Sequence, residues 1–326
     1  MSVDGWRYLH NYLAPVAHLL AREDVTDIYV NRPHEIWAET LGGKIERHDI
    51  AALDTPTLER LVRQVAAFSH QGINREHPVL SAVLPDGSRI QVIAPPATRG
   101  EMALAIRRHV VADMSLDDYA TAGGFEEAQR RLSSADEGQR DEFADLYRRG
   151  DFVGVLRSAV QQRRNILVSG GTSTGKTTFL NALIREIPAD ERLITIEDTP
   201  ELQVRHANAI GLLAARGQLG EAQVSADDLV SASLRMRPDR IILGELRGPE
   251  AYAFLRAINT GHPGSMTTVH ADSTHGAVEQ IALLILQGGT RLSRQDVLQY
   301  VRNSISVYVQ LGRVAGRRHI QEVVVA

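Results

Sequence analysis

The stretch of the chain best suited to chemistry runs from Gly170 to Thr177 and reads Gly-Gly-Thr-Ser-Thr-Gly-Lys-Thr. It matches the G-x-x-x-x-G-K-[ST] phosphate-loop pattern at every defined position. The apolar run 165–169 before it predicts a buried strand, and apolar residues at helical spacing after it predict a helix that ends at Pro188. The free N–H groups and the dipole at a helix N-terminus favour a phosphate group. The sequence therefore predicts a nucleotide site between a strand and a helix.

Each residue type in this loop has a physical task. Glycine lets the backbone curl without a Cβ clash. The Lys176 ammonium would reach the β- and γ-phosphates, and the Thr177 hydroxyl would be a ligand of Mg²⁺. We expect ATP and Mg²⁺ as cofactors, with the nucleotide held by Gly170, Gly171, Thr172, Ser173, Thr174, Gly175, Lys176, Thr177 and Thr178.

Hydrolysis needs carboxylates that hold Mg²⁺ and align a water, and in an α/β fold such groups stand at the carboxyl ends of strands beside the loop. Glu197 follows the apolar run 193–196, and Glu245 follows the run 240–243. The second stretch has the form of a Walker B segment, with Gly244 where an Asp is common. We expect Glu245 to bind Mg²⁺, partly through water, or to polarise the attacking water. The general base is left open between the two glutamates, with Glu197 preferred.

Two histidines bracket a glycine-containing turn and a Ser/Thr strand, His262 before them and His270 after them. We expect these two side chains to report the γ-phosphate, with His270 among the catalytic groups. They are too far apart in sequence to share one helical face, and the chain has no cysteine. A histidine–cysteine zinc site is therefore not expected.

Composition narrows the class of protein. Of 326 residues, 43% are hydrophobic and 23% charged, which is typical of a globular protein. The net charge of −4 and the lack of a basic, aromatic-rich tract argue against specific nucleic-acid binding. Without cysteine, disulfide and thiol chemistry are excluded. Residues 1–20 do not resemble a signal peptide, and no apolar run approaches membrane-spanning length, so we expect a cytoplasmic protein.

The first part of the chain predicts a smaller α+β domain over residues 1–120, followed by a linker over 121–150. The expected elements of the domain are a helix over 6–22, strands over 25–30 and 35–39, a helix capped by Thr55, a hairpin of 79–84 with 89–94, and a strand over 102–107. The segment 121–150 is rich in charge and poor in large apolar residues. We expect it to be a partly helical, solvated connector.

The remaining residues, 151–326, predict an α/β domain. After a helix over 151–163 and the phosphate loop, short apolar strands alternate with helical segments, one of them opened by Pro249. Such alternation indicates a mainly parallel, doubly wound sheet. The expected strands are 193–196, 240–243 and 266–269, with a closing hairpin of 306–311 and 319–325.

Four motifs in a fixed order carry a family resemblance. After the phosphate loop come an acidic box at 195–198, Gly-Glu-Leu-Arg-Gly-Pro-Glu-Ala at 244–251, and Thr-Gly-His at 260–262 continuing to His270. This order resembles the ATPase superfamily of type II secretion, type IV secretion and type IV pili, whose signatures are Walker A, Asp box, Walker B and His box. The chain most resembles the VirB-eleven type of type IV secretion ATPase. This is supported by the Gly-Glu-Leu-Arg-Gly-x-Glu-Ala form, the Thr-Gly-His-x-Gly-Ser form and the N-terminal segments 78–82 and 84–89. The four-cysteine zinc module of type II secretion and many pilus-extension members is missing.

The resemblance implies a RecA-like ATPase domain, a hexameric ring, and ATP hydrolysis that powers type IV secretion, conjugation or pilus biogenesis. It implies inner-membrane components of the secretion machine as partners, and hence a peripheral location at the inner membrane of a bacterium. It also implies N-terminal arginines that contact the phosphates. By motif position these are Arg89 and Arg107, with Arg107 also among the catalytic groups and Arg108 a weaker match.

Two other functions are open on the residues alone. One is a nucleic-acid translocase or helicase on a similar ATPase core, and the other is a nucleotide-gated docking scaffold with little turnover. The sequence does not specify the transported substrate, DNA or protein, or the partner subunits.

Overall fold

The computed structural model describes residues 3–41, 43–108, 114–132, 142–214, 224–314 and 317–326. Within these ranges the chain divides into two compact units. The N-terminal unit contains the described residues up to 108, and the C-terminal unit contains those from 114 onward. No helix within the described ranges is long and apolar enough to cross a membrane.

The N-terminal unit is an antiparallel sheet with two helices. Its elements are α1 (Val3–Leu20), β1 (Val25–Val30), β2 (Glu35–Thr40), β3 (Ile45–Asp49), α2 (Thr55–Phe68), β4 (Val79–Val83), β5 (Arg89–Ile93) and β6 (Ala103–Arg107). The described strands are ordered β3-β2-β1-β6-β5-β4. Apolar side chains of both helices and of alternate strand positions form one core. The predicted α+β composition, including the β4–β5 hairpin, is confirmed.

Two details of this unit differ from the sequence-based expectations. The N-cap of α2 is Asp54 and not Thr55, because the Asp54 carboxylate accepts a hydrogen bond from the Thr57 backbone N–H at 2.9 Å. Strand β3 was not expected at all. None of its residues is buried, so its side chains carry no apolar signal, and backbone pairing with β2 holds it at the sheet edge.

The C-terminal unit is built on one large sheet. Its elements are α3 (Leu116–Thr121), β7 (Gln129–Leu132), α4 (Glu142–Arg149), α5 (Phe152–Gln161), β8 (Ile166–Gly170), α6 (Lys176–Arg185), β9 (Leu193–Glu197), β10 (Ala209–Leu213), α7 (Ala226–Ser233), β11 (Arg240–Leu246), α8 (Glu250–Asn259), β12 (Met266–Val269), α9 (Thr274–Gln287), α10 (Arg294–Ser304), β13 (Val307–Val314) and β14 (Arg317–Val325). The described strands are ordered β10-β9-β11-β12-β8-β13-β14-β7. Only the β13–β14 pair among them is antiparallel, so the predicted mainly parallel sheet is confirmed.

Helices cover both faces of this sheet. Ile166 and Val168 of β8 belong to a core with α5 and α6, whereas Leu167 between them belongs to a second core with α8, α9 and α10. Alternate residues of a strand point to opposite faces. Burying each such side chain contributes about 1.5–3 kcal/mol, so a strand that is apolar on both faces is anchored from both sides.

The expected linker over 121–150 belongs, in its described residues, to the C-terminal unit. Strand β7 pairs with β14, and α4 buries Phe143 and Tyr147 in the same core as α5. The Tyr147 hydroxyl donates a hydrogen bond to the Val323 carbonyl at 2.6 Å. A solvated connector is therefore the wrong description of these residues. The high charge of this segment predicted exposure, but Phe143 and Tyr147 lie at i and i+4 on one face of α4, and that face is buried. Residues 133–141 of this segment lie outside the described ranges.

Candidate active site

The strand order gathers the expected site residues at one edge of the C-terminal sheet. Strands β9, β11, β12 and β8 are adjacent and parallel, so their carboxyl ends meet at the same edge. The phosphate loop follows β8, Glu197 ends β9, Glu245 lies near the end of β11, and His270 follows β12. We call this the carboxyl edge.

The phosphate loop is a tight turn that two glycines make possible. A Cβ on Gly170 would come within 2.5 Å of the Thr174 hydroxyl and 3.1 Å of the Leu311 carbonyl on the next strand. Gly175 has a φ of 92° directly before α6, a conformation that side chains with a Cβ rarely adopt. Ser173 also has a positive φ, of 60°, a backbone strain that is typical of functional loops.

Lys176 points back into this loop. Only 8% of the residue is exposed, and its Nζ donates hydrogen bonds to the carbonyls of Gly170 at 2.8 Å and Gly171 at 3.0 Å. The same Nζ lies 3.4 Å from each ring nitrogen of His270. Because a buried ammonium is costly without partners, these contacts hold it at the centre of the loop.

Glu245 lies between two nitrogen-bearing side chains. Its Oε1 is 2.9 Å from His270 Nε2, and its Oε2 contacts the guanidinium of Arg247. Arg247 Nη1 is in turn 3.7 Å from Asp198 Oδ2. A continuous row therefore runs from Lys176 through His270, Glu245 and Arg247 to Asp198. The motif containing Arg247 was recognised in the sequence, but this side chain was given no role there.

A β-bulge aims Glu245 at the edge. Strand β11 pairs regularly with β12 up to Leu243 and again at Leu246, with one more intervening residue on β11 than on β12. Bulges of this kind redirect side chains. The Thr268 hydroxyl fixes the bulge by donating a 2.8 Å hydrogen bond to the Gly244 carbonyl.

Glu197 holds the chain that follows it. Its Oε1 accepts hydrogen bonds from the backbone N–H groups of Glu201 at 2.8 Å and Leu202 at 2.7 Å. This brings the Glu201 carboxylate to Thr177, whose hydroxyl donates to Glu201 Oε2 at 3.0 Å. Glu201 was not assigned a role from the sequence. The only signal for it was a third acidic residue close behind the strand.

The residues at the carboxyl edge suit Mg²⁺. Within the described ranges no group of three His, Cys, Asp or Glu side chains could hold a metal ion by itself. Mg²⁺ usually takes one or two protein oxygen ligands and completes its shell with phosphates and water. The Thr177 hydroxyl beside Glu201, with Glu245 on the same edge, is an oxygen donor set of this kind.

His262 is not part of this cluster. It precedes β12, whereas His270 follows it, so the length of the strand separates the two rings. His262 Nδ1 lies 2.9 Å from the Pro238 carbonyl, before the first residue of β11. The expectation that both histidines report the phosphate is therefore wrong for His262, which stabilises a turn at the opposite edge.

The N-terminal arginines lie in a row on their own sheet. Arg89 on β5 and Arg107 on β6 are register partners, and Asp27 on β1 is the next partner of Arg107, with Nε and Oδ1 4.0 Å apart. Arg108 instead donates to the backbone carbonyls of Arg22 and Val25, so it supports the start of β1. Phosphate binding by Arg89 and Arg107 stays a prediction.

Comparison with known proteins gives relatives across nearly the whole chain. Residues 10–307 match the family described as Type II/IV secretion system protein. The Type IV secretion system protein VirB11 of Bartonella henselae is 37% identical over 324 residues, covering 95% of this chain and 91% of the relative. VirB11 of Brucella suis is 40% identical over 321 residues, covering 96% and 88%. PtlH of Bordetella pertussis, also named a type IV secretion system protein, is 37% identical over 308 residues, covering 91% and 88%.

Solved structures give the same grouping. The VirB11 ATPase of the Brucella suis type IV secretion system, in complex with sulphate, superposes with a TM-score of 0.54 at 37% identity and 98% coverage of both chains. The pilus retraction motor PilT with bound ADP shares the fold, with a TM-score of 0.59 at 20% identity, covering 95% of this chain and 82% of PilT. With a family match over residues 10–307 and relatives this similar along their length, the chain belongs to the type II/IV secretion system protein family.

Proposed function

We propose that this chain is the ATP-hydrolysing motor of a bacterial type IV secretion system. One observation supports the catalytic part most strongly. The phosphate-loop cation Lys176 and the carboxylate Glu245 are joined through one imidazole, that of His270. A cation for phosphate and a carboxylate for water or metal thus stand within one row of contacts.

The contacts suggest a division of labour. Lys176 would neutralise the β- and γ-phosphates from inside the loop. Glu245, held by His270 on one side and Arg247 on the other, would align the attacking water and accept its proton. Bound Mg²⁺ would neutralise charge on the phosphate oxygens. Thr177 and Glu245, the latter partly through water, would hold the ion, while Glu201 keeps the Thr177 hydroxyl in place.

The same contacts bear on the choice of general base. One oxygen of Glu197 is committed to two backbone N–H groups, which suits a residue that shapes the site. Glu245 has no backbone N–H partner among the described residues and stands next to His270. We therefore infer that Glu245 is the general base and that Glu197 is a positioning residue.

The proposal extends to assembly. We infer a RecA-like ATPase domain within a hexameric ring that works with inner-membrane components at the cytoplasmic face of the membrane. Its support is the family, whose related proteins are named type IV secretion proteins. Light scattering with Mg²⁺ and nucleotide tests the ring, for which the expected mass is near six protomers of 35.9 kDa.

Replacing the loop lysine tests the catalytic proposal. Lys176→Ala should lower phosphate release to background, because it removes the ammonium at the centre of the loop. The sequence contains one other lysine, Lys44, which is exposed and pairs with Glu46 at 3.0 Å. Lys44→Ala is thus a matched control that should keep full turnover. Near-normal hydrolysis by Lys176→Ala would defeat the assignment.

A further inference from the structure

A second cation lies beside the phosphate loop. It is Arg318, near the start of β14, in the hairpin that β14 forms with β13. Strand β13 lies next to β8, with Leu311 opposite Gly170. The register partner of Arg318 is Arg313, two residues beyond Leu311. This end of the hairpin therefore extends past the end of β8, alongside the loop.

The Arg318 side chain crosses the last glycine of the loop. A Cβ on Gly175 would lie 3.1 Å from Arg318 Cδ, 3.6 Å from Nε and 3.7 Å from Nη1. Gly175 directly precedes α6. Both the aliphatic stem and the guanidinium of Arg318 thus pack at the first turn of this helix.

The charge of Arg318 also acts on Tyr119. Burial raises the pKa of the Tyr119 hydroxyl to about 12, and the positive charge of Arg318 acts against that rise. The Tyr119 ring packs edge-on against Phe179 of α6, with 5.1 Å between centroids. Although Arg318 is exposed, it lies along the unit and faces α6.

The position of Arg318 at the N-terminus of α6 is electrostatically unfavourable without an anion. The N-terminus of a helix carries a partial positive charge, and a cation there is unfavourable. Lys176 already occupies the first turn of α6. No carboxylate of the described residues forms an ion pair with Arg318 that would offset the added charge. Lys176, Arg318 and the helix N-terminus together favour an anion at this point.

We propose that Arg318 is a phosphate-binding residue of the nucleotide site, its guanidinium donating to the phosphate chain of a nucleoside di- or triphosphate. This rests on the proposed function and adds a ligand to it. Lys176 approaches the phosphates from inside the loop, and Arg318 approaches them from the β13–β14 hairpin. A guanidinium suits this task because it stays charged and offers a planar fork of donors that matches phosphate oxygens.

Calorimetric titration of Mg-ADP into the full-length protein tests this. Arg318→Gln should weaken binding by about tenfold or more, the loss expected for a hydrogen bond between charged groups. The weakening of binding with added salt should also become shallower. Arg318→Lys should recover part of the affinity. The matched control is Arg317→Gln, the adjacent exposed arginine, which points to the other face of the strand and should change affinity less than about twofold.

Three results would overturn the inference, and they differ from one another. Normal affinity in Arg318→Gln, with a wild type that binds and hydrolyses, would remove Arg318 alone from the site. Equal weakening in the Arg317 and Arg318 variants would show a diffuse field and no specific contact. A wild type that does not bind Mg-ADP would overturn this inference together with the proposed function.

Discussion

The two edges of the C-terminal sheet use charge in opposite ways. The amino ends of the parallel strands meet at the opposite edge, which we call the amino edge. There Arg240 is the first residue of β11 and has no exposed surface. Its guanidinium donates to both Glu191 carboxylate oxygens, at 2.6 and 2.7 Å, and to the Val160 carbonyl at 2.7 Å. Arg240 and Glu191 thus neutralise each other inside the fold. This pair therefore stabilises the sheet and is not available to a ligand.

At the carboxyl edge the charged side chains are linked but reach solvent. The His270 side chain is 47% exposed and that of Arg247 38%, while Glu245 between them is 13% exposed. These groups constrain one another without being sealed off. The comparison teaches that a buried, bidentate pair indicates stability, whereas a partly exposed row of alternating groups beside a phosphate loop indicates chemistry.

The largest effect that the comparison predicts is at Glu245. Glu245→Gln removes the carboxylate charge and leaves the loop intact, so nucleotide should still bind while turnover falls by about a hundredfold or more. Phosphate release measured beside nucleotide affinity checks both halves. Glu197→Gln is the informative companion, because its amide oxygen can still accept the two backbone hydrogen bonds. If Glu197→Gln loses turnover and Glu245→Gln does not, the assignment of the base must be reversed.

The amino edge should respond in stability. Glu191→Gln leaves Arg240 buried without its counter-charge, which should lower the free energy of unfolding by about 3–5 kcal/mol. Glu279→Gln is the control, since it breaks a surface pair with Arg294 and should cost no more than about 1 kcal/mol. Urea unfolding measures both. Equal stability of the two variants would contradict the role given to the amino edge.

A smaller effect is expected at Glu201, which supports the proposed Mg²⁺ ligand Thr177. Glu201→Gln should raise the Mg²⁺ concentration for half-maximal hydrolysis by about tenfold, as for other losses of a group that orients a metal ligand. Glu186→Gln, which disturbs an ion pair with Arg157 at 2.8 Å, is a charge-matched control. An unchanged Mg²⁺ midpoint in Glu201→Gln would show that its contact with Thr177 is structural only.

Much of the fold could be predicted from sequence because the signals are local. Strand β12 has the predicted bounds 266–269, and the strand, loop and helix around Lys176 follow from a contiguous pattern. The prediction of a solvated connector over 121–150 was wrong because it relied on the high charge content of the segment, which does not show that individual side chains are buried. Helix α4 is polar by count, yet Phe143 and Tyr147 insert it into the core.

The parts of the site that could not be predicted depend on which strands are neighbours. The contact of Glu201 with Thr177 needs β9 and α6 at the same edge, and the bulge that aims Glu245 depends on the register of β11 with β12. Arg318 reaches Gly175 only because β13 lies beside β8. Hydrophobic periodicity specifies neither strand order nor register. The motifs therefore predicted the residues around the phosphate loop, whereas the other residues of the carboxyl edge could be identified only from the fold.

The most direct test of the separation between the two edges is the thermal shift caused by Mg-ADP in two variants. A ligand at a hundred times its Kd stabilises the folded state by about 2.7 kcal/mol, whatever the stability of the unliganded protein. Glu191→Gln should melt below wild type without ligand and still show the full Mg-ADP shift. Lys176→Ala should lose the shift, whatever its melting temperature without ligand. If Glu191→Gln loses the shift, or Lys176→Ala keeps it, the two edges do not have the separate roles assigned to them here.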